Sequence, residues 1–262
     1  VTVRDTARGI LRVLEHHALV YRRTWRGSVF SSFLNPVLYL AAMGIGLGAF
    51  VDQSNPGGVA GVSYATFLAP ALLVATAMNT AAGESTYPVM AGIRWLKTYV
   101  GMIMAPISPR QVATGQLLWV AVRLFLSATV FLIVMTLLDA VEVTHAPLLL
   151  PVAVLTGLAF AAPIQAFAAT QVKDTPFASL FRFVLMPMFI FSGTFFPISQ
   201  LPTALQVVAM LTPLWHGVSL SRGLALGTLD PLVGLVNVTY LSALVAFGLA
   251  WSFRSFRVRL AE

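Results

Sequence analysis

The sequence has 262 residues, of which 58% are hydrophobic and only 10% charged, against about a quarter charged in soluble domains. So few charges cannot cover the wetted surface of a soluble fold, which excludes a soluble enzyme or binding domain. Sixteen Lys and Arg against nine Asp and Glu give a formal net charge of +7, and cysteine is absent, which removes disulfides, thiolate nucleophiles and cysteine metal sites. The basic residues stand between long apolar runs, an arrangement that points to lipid head groups and membrane orientation and not to nucleic acid.

Residues 1–27 come first and contain six arginines. Ile10, Leu11, Val13, Leu14, Ala18, Leu19 and Tyr21 interleave with Arg8, Arg12, His16, His17, Arg22 and Arg23. That pattern predicts a basic amphipathic helix lying in the cytoplasmic membrane interface. The apolar run that begins near Ser28 is too long for the core of a signal peptide and reads as a retained span.

A helix rising about 1.5 Å per residue needs about 20 apolar residues to cross a hydrocarbon core of about 30 Å. Residues 28–50, 62–83, 115–138, 147–171 and 231–252 meet that length. Residues 179–197, with Phe183, Leu185, Met186, Phe189 and Phe191, meet it if the helix starts at head-group level beside Phe181 and Arg182. The expected fold is therefore an all-α membrane protein with a 28–262 transmembrane domain of six spans and both termini on one side. In the first span, Asn35-Pro36 frees a backbone carbonyl and predicts a kink. Gly44 and Gly48 form a G-x-x-x-G pair suited either to a dimer contact or to packing within the chain.

Charge sets the orientation. Arg4, Arg8, Arg12, Arg22, Arg23 and Arg26 precede span one; Arg94, Lys97 and Arg110 follow span two; Lys173 and Arg182 lie between spans four and five; Arg254, Arg257 and Arg259 follow span six. The opposite loops hold Asp52, or Asp139, Glu142 and His145, without Lys or Arg. By the positive-inside rule both termini are cytoplasmic. Within span three, Arg123 falls about a turn inside the cytoplasmic edge. Its side chain can snorkel to that edge, and Glu84, at similar depth past span two, is its natural ion-pair partner.

Between spans two and three, Glu84 to Gln116 reads ESTYPVMAGIRWLKTYVGMIMAPISPRQVATGQ. A moderately amphipathic stretch runs into the Pro106-Ile107-Ser108-Pro109 turn, after which Ser108 can cap a new helix whose first turn tolerates Pro109. Near the other end, Phe191-Ser192-Gly193-Thr194-Phe195-Phe196-Pro197-Ile198-Ser199-Gln200-Leu201-Pro202 is followed by Leu211-Thr212-Pro213-Leu214 and Arg222. Residues 203–226 are apolar, but Pro213, His216 and Arg222 interrupt them and a seventh crossing would put the basic tail outside. They read as part of an outer re-entrant hairpin at about 198–228. Gly193 permits close helix approach, while Pro197 and Pro202 stop span five and turn it.

These two motifs, at this separation, resemble the type-2 ATP-binding-cassette exporter permeases, particularly the branch of the nodulation-factor and daunorubicin-type exporters. The resemblance covers essentially the whole chain. It implies that the first motif is a cytoplasmic coupling helix, carried here by Arg94, Trp95, Lys97, Tyr99, Met102, Pro106, Pro109 and Arg110, which docks on a cytoplasmic ATPase subunit. It also implies a second permease subunit, identical or related, surrounding membrane lipids, and a prokaryotic inner-membrane location. The implied function is export of an amphiphile such as a lipid-linked saccharide, a glycolipid or a hydrophobic drug.

The chain itself is expected to be non-catalytic. Its only lysines, Lys97 and Lys173, follow Leu96 and Val172 where a phosphate-binding loop needs glycine, so ATP and Mg belong to the partner. His16, His17, His145 and His216 are scattered without ligand spacing, and no metal site is expected. Two other classes remain. An ion-coupled secondary transporter would need membrane-buried acidic sites and repeat symmetry, neither of which is evident. A membrane-embedded lipid-modifying enzyme would need a nucleophile or carboxylate constellation that is also missing.

Overall fold

The computed structural model describes residues 3–54 and 57–261, with side chains throughout except at 3–4, 26–37 and 45. Twelve α-helices are assigned along the described chain. α1 (Val3–Leu40) passes through a π-helical turn (Ala41–Leu47) into α2 (Gly48–Ser54). α3 (Tyr64–Ser85), α4 (Tyr87–Met90), a π-turn (Ala91–Trp95) and α5 (Thr98–Met104) lead to α6 (Pro109–Leu137) and α7 (Ala146–Thr170). α8 (Thr175–Leu180), a third π-turn (Phe181–Leu185) and α9 (Met186–Phe191) follow. The chain closes with α10 (Thr203–Met210), α11 (Pro213–Ala225) and α12 (Pro231–Ala261).

Among the described residues, four stretches are long and apolar enough to cross a membrane: Tyr64–Trp95, Pro109–Leu137, Ala146–Thr170 and Pro231–Ala261. Thr175–Phe191 is apolar but shorter: one helix with a π-turn at Phe181–Leu185, it ends at Phe191 ahead of the left-handed Gly193 and short of the expected residue 197. The first expected span has a helical backbone, but the side chains of residues 26–37, among them Asn35 and Pro36, lie outside those described. Gly44 and Gly48 turn toward α3 of the same chain, each with a Cβ position within 4 Å of Ala65 or Tyr64.

The amphipathic N-terminal segment is not a separate helix, since α1 runs unbroken past residue 27. Its partner is α6. Gly9 lies on Gln111, Val13 on Gly115, His17 stacks on Trp119 with ring centres 5.8 Å apart, and Tyr21 lies under the Arg123 guanidinium at 4.5 Å. Both members of each pair advance by four residues, so the helices run parallel and in register over about three turns. The approach is close enough that a Cβ on Gly115 would sit 2.6 Å from that of Val13. The amides of Gln111 reach α1 as well, Nε2 donating to the carbonyls of Asp5 (3.1 Å) and Thr6 (3.3 Å).

Two apolar cores result. The larger is built on α3, α6, α7 and α11. The smaller gathers Val13, Tyr99, Ile107, Ala169, Phe177, Phe256 and Leu260, so α1, the 87–107 segment and the ends of α7 and α12 meet at one end of the molecule. Arg259 fastens that end by donating to the carbonyls of Ala169 (3.3 Å) and Thr170 (2.7 Å), the last acceptors of α7 that no further turn can pair.

Candidate functional site

The segment between α3 and α6 is two short pieces. Helix geometry breaks at Lys97, whose φ of 52° is left-handed, and α5 lasts only seven residues. Its far boundary is a capping box: Ser108 Oγ accepts from Gln111 N (3.4 Å) while Gln111 Oε1 accepts from Ser108 N (2.6 Å), with Pro109 in the first turn as its missing N–H allows.

The side chains of this segment divide sharply. Tyr99 is 1% exposed, and its hydroxyl donates to Gln116 Oε1 at 2.9 Å. Tyr99 therefore does not present a docking surface. Its ring fills the space beside Gly92 and Phe256, because the smaller core needs a large side chain under α5. Burial, reinforced by the Glu84 charge, raises the phenol's pKa. Met102 is only half-buried and Ile107 is buried. The outward face consists of Trp95 (56% exposed), Leu96 (72%) and Met104 (84%), with Lys97, Pro106 and Arg110 around them. Arg94 is half-buried and Pro109 lies inside the α6 cap. Leu96 and Met104 are not distinguished by the sequence, because helical periodicity through Lys97 misplaces the outward face once the backbone turns left-handed there.

Directly behind this segment, Arg123 Nε donates to Glu84 Oε1 at 2.9 Å. Arg123 is 8% exposed, and the pair is fixed from both sides: Gln116 Nε2 donates to the Glu84 carbonyl (3.0 Å), and Tyr21 covers the guanidinium. The structure thus joins the two charges that sequence depth alone brings near each other. His17, buried against Trp119 and beside His16, has its pKa lowered to about 4 by desolvation first and by its neighbour's charge second.

At the opposite end, Gly193 takes a left-handed φ of 81° and offers its carbonyl to Arg222 Nη2 at 2.9 Å; Arg222 Nε donates to the Phe67 carbonyl at 3.1 Å. Pro197 precedes a 3-10 turn (Ile198–Gln200), Pro202 precedes α10, and Pro213 opens α11 after the Thr212 cap. Ser221 Oγ donates to the Pro70 carbonyl at 2.9 Å, tying α11 to α3. Among the described residues no group of three or more His, Asp or Glu could hold a metal ion.

The family model described as ABC-2 type transporter matches residues 10–226, which include the 87–107 segment, the Glu84–Arg123 pair and Arg222. Nodulation protein J of Rhizobium leguminosarum bv. viciae is 31% identical over 217 residues, covering 83% of this chain and 82% of that protein. Nodulation protein J of Rhizobium meliloti (strain 1021) is 30% identical over 85% of this chain and 82% of its own. The protein of the same name from Azorhizobium caulinodans is 26% identical over 89% and 91%. The chain belongs to the ABC-2 type transporter family.

Proposed function

We propose that the chain is the permease subunit of an inner-membrane exporter that moves an amphiphile outward, driven by a separate cytoplasmic ATPase that binds ATP and Mg. Family membership supports a permease of an ABC transporter. The observation that carries the coupling role is the exposure of the large apolar side chains of Trp95, Leu96 and Met104 along a segment whose Tyr99 is buried. Large apolar side chains exposed together mark an interaction surface. A push on this face reaches α3 through the 87–95 stretch and α6 through the Ser108 cap, and reaches α1 and α12 through the smaller core.

The same reading puts the basic end in the cytoplasm, with six crossings and α10–α11 as an outer re-entrant hairpin. Contacts of the α10–α11 turn support the hairpin. Tyr240, nine residues into α12, donates to the Leu211 carbonyl, and His216 Nδ1 bonds Asn237 at 2.7 Å. Nine residues of helix rise about 14 Å, so the turn lies well below the outer ends of the helices. A second permease copy or a related subunit would complete the translocation path.

Single cysteines can be introduced without background, because the chain has none. Those at Trp95, Leu96 and Met104 are expected to crosslink to the ATPase, and Met104→Asp is expected to uncouple ATP hydrolysis from export while the protein still inserts. Absence of crosslinks at all three positions, with full export by Met104→Asp, would remove the coupling assignment.

A further inference from the structure

Glu84 and Arg123 line a cavity of about 180 Å³ together with His17, Tyr21, Gln116 and Trp119. That is room for several waters at about 30 Å³ each, yet short of the roughly 300–1,000 Å³ of a drug-sized pocket. It suits a head group and not a whole amphiphile.

The polar groups around it are unequally used. Gln116 is satisfied at both ends, by Tyr99 and by the Glu84 carbonyl. Among the described residues, Arg123 engages Glu84 through Nε and one carboxylate oxygen, which leaves the terminal guanidinium amines and Glu84 Oε2 for another partner. Among the described residues, His17 Nε2 is buried without a hydrogen bond, a costly state for a polar nitrogen. The lining thus carries one positive and one negative charge, with His17 neutral at pH 7. An anion or a cation would satisfy one of these charges and oppose the other, whereas a zwitterion matches both. Trp119 and Tyr21 beside the pair are typical of the membrane interface.

We propose that this cavity binds the phosphoethanolamine head group of an inner-leaflet lipid, its ammonium on Glu84 Oε2 and its phosphate against the Arg123 amines and His17 Nε2. A primary ammonium brings three N–H donors to the carboxylate. A choline head group brings none, and the glycerol of phosphatidylglycerol brings no cation. Bound there, the head group bridges α1, α3 and α6 directly behind the coupling segment. The leaflet depends on the orientation proposed above, but the head-group chemistry does not.

The test offers the chain, purified from membranes, an equimolar mixture of phosphatidylethanolamine, phosphatidylcholine and phosphatidylglycerol with identical acyl chains, and reads retained lipid by native mass spectrometry. One phosphatidylethanolamine per chain is expected, preferred at least about tenfold, as loss of a charge-assisted hydrogen bond implies. Glu84→Gln should bring that preference to within about twofold of phosphatidylcholine. Val20→Trp, at an exposed position on the cavity wall, should abolish it without touching the ion pair, and circular dichroism and elution volume verify that both variants fold. Soluble phosphoethanolamine should displace the lipid and phosphocholine should not, which separates head-group recognition from acyl-chain adhesion. Equal retention of phosphatidylethanolamine and phosphatidylcholine, a preference that survives both variants, or equal displacement by phosphocholine overturns the proposal.

Discussion

Tyr99 donates its hydroxyl hydrogen to Gln116 Oε1 at 2.9 Å, and Gln116 passes the connection on by donating to the Glu84 carbonyl at 3.0 Å. The short helix α5 is thereby tied to the ends of α3 and α6 through one buried amide. Tyr99→Phe keeps the ring but leaves the Gln116 oxygen unpaired, a cost of about 1–3 kcal/mol. Thermal unfolding of the solubilised protein should fall accordingly, whereas Tyr99→Asp, which buries a charge in the smaller core, should prevent accumulation in the membrane. A Tyr99→Phe variant as stable as the parent would mean that the hydrogen bond contributes nothing.

The ion pair behind it should behave as a coupled unit. Reversing Glu84 or Arg123 alone leaves two like charges together, and breaking a buried pair costs about 3–5 kcal/mol. The double reversal should recover part of that loss in membrane yield and transport. Recovery stays incomplete because Tyr21 then faces a carboxylate in place of the guanidinium, losing a cation–π contact of about 0.5–2 kcal/mol. Strictly additive losses would show that the pair makes no energetic contact.

His17 gives the packing of α1 on α6 a pH dependence. Its pKa is lowered from 6.5 to about 4, so the packed state resists the proton that the unpacked helix accepts. As pH falls from about 6.5 toward 4, the unpacked state gains protons that the packed one lacks, and stability declines through that window. Below about 4 the dependence levels off. His17→Phe keeps a ring against Trp119 and should remove this slope. The measurement is protease sensitivity of residues 5–25 as a function of pH, and an unchanged slope in His17→Phe would assign it to other groups.

Much of this organisation is legible in the residues, for a physical reason. The Ser108 cap and the first-turn Pro109 are local chemistry, and the Glu84–Arg123 pair follows from counting rise per residue along two apolar runs. The orientation of Tyr99 is not legible. Its outward or inward face depends on the left-handed Lys97, a conformation that lysine sequence preference does not announce. The path of α1 is likewise hidden, because Val13 on Gly115 and His17 on Trp119 are pairings 102 residues apart, and an amphipathic face suits a helix partner as well as a lipid surface. The fifth expected span shortens for a third reason: its helix ends at Phe191 and Gly193 turns left-handed (φ 81°), although composition carries the apolar run on to residue 197.

Arg222 should hold the Gly193 turn closed against α3. Its guanidinium lies 3.7 Å over the Phe67 ring and donates to carbonyls of two different segments, Phe67 in α3 and Gly193 after α9. The planar fork of arginine reaches both at once, while a lysine amine on a flexible stem reaches one. Arg222→Lys therefore leaves one carbonyl unpaired and Arg222→Gln disturbs both, at about 1–3 kcal/mol for each buried group left without a partner. Besides Arg222, the Gly193 turn is held by the Ser192–Thr212 hydroxyl contact and by the Tyr64 hydroxyl, which donates to the Phe195 carbonyl; its positive φ is available to glycine but is not itself stabilising. A cysteine introduced at Thr194, which is fully buried, reports on that turn. In the parent background it should react slowly with a membrane-impermeant maleimide added from outside. Reaction should quicken in Arg222→Lys and further in Arg222→Gln, while labelling of a cysteine at Lys97 stays at its parental rate. If both substitutions leave the Thr194 cysteine protected, the turn is held by the Ser192–Thr212 hydroxyl contact and not by Arg222.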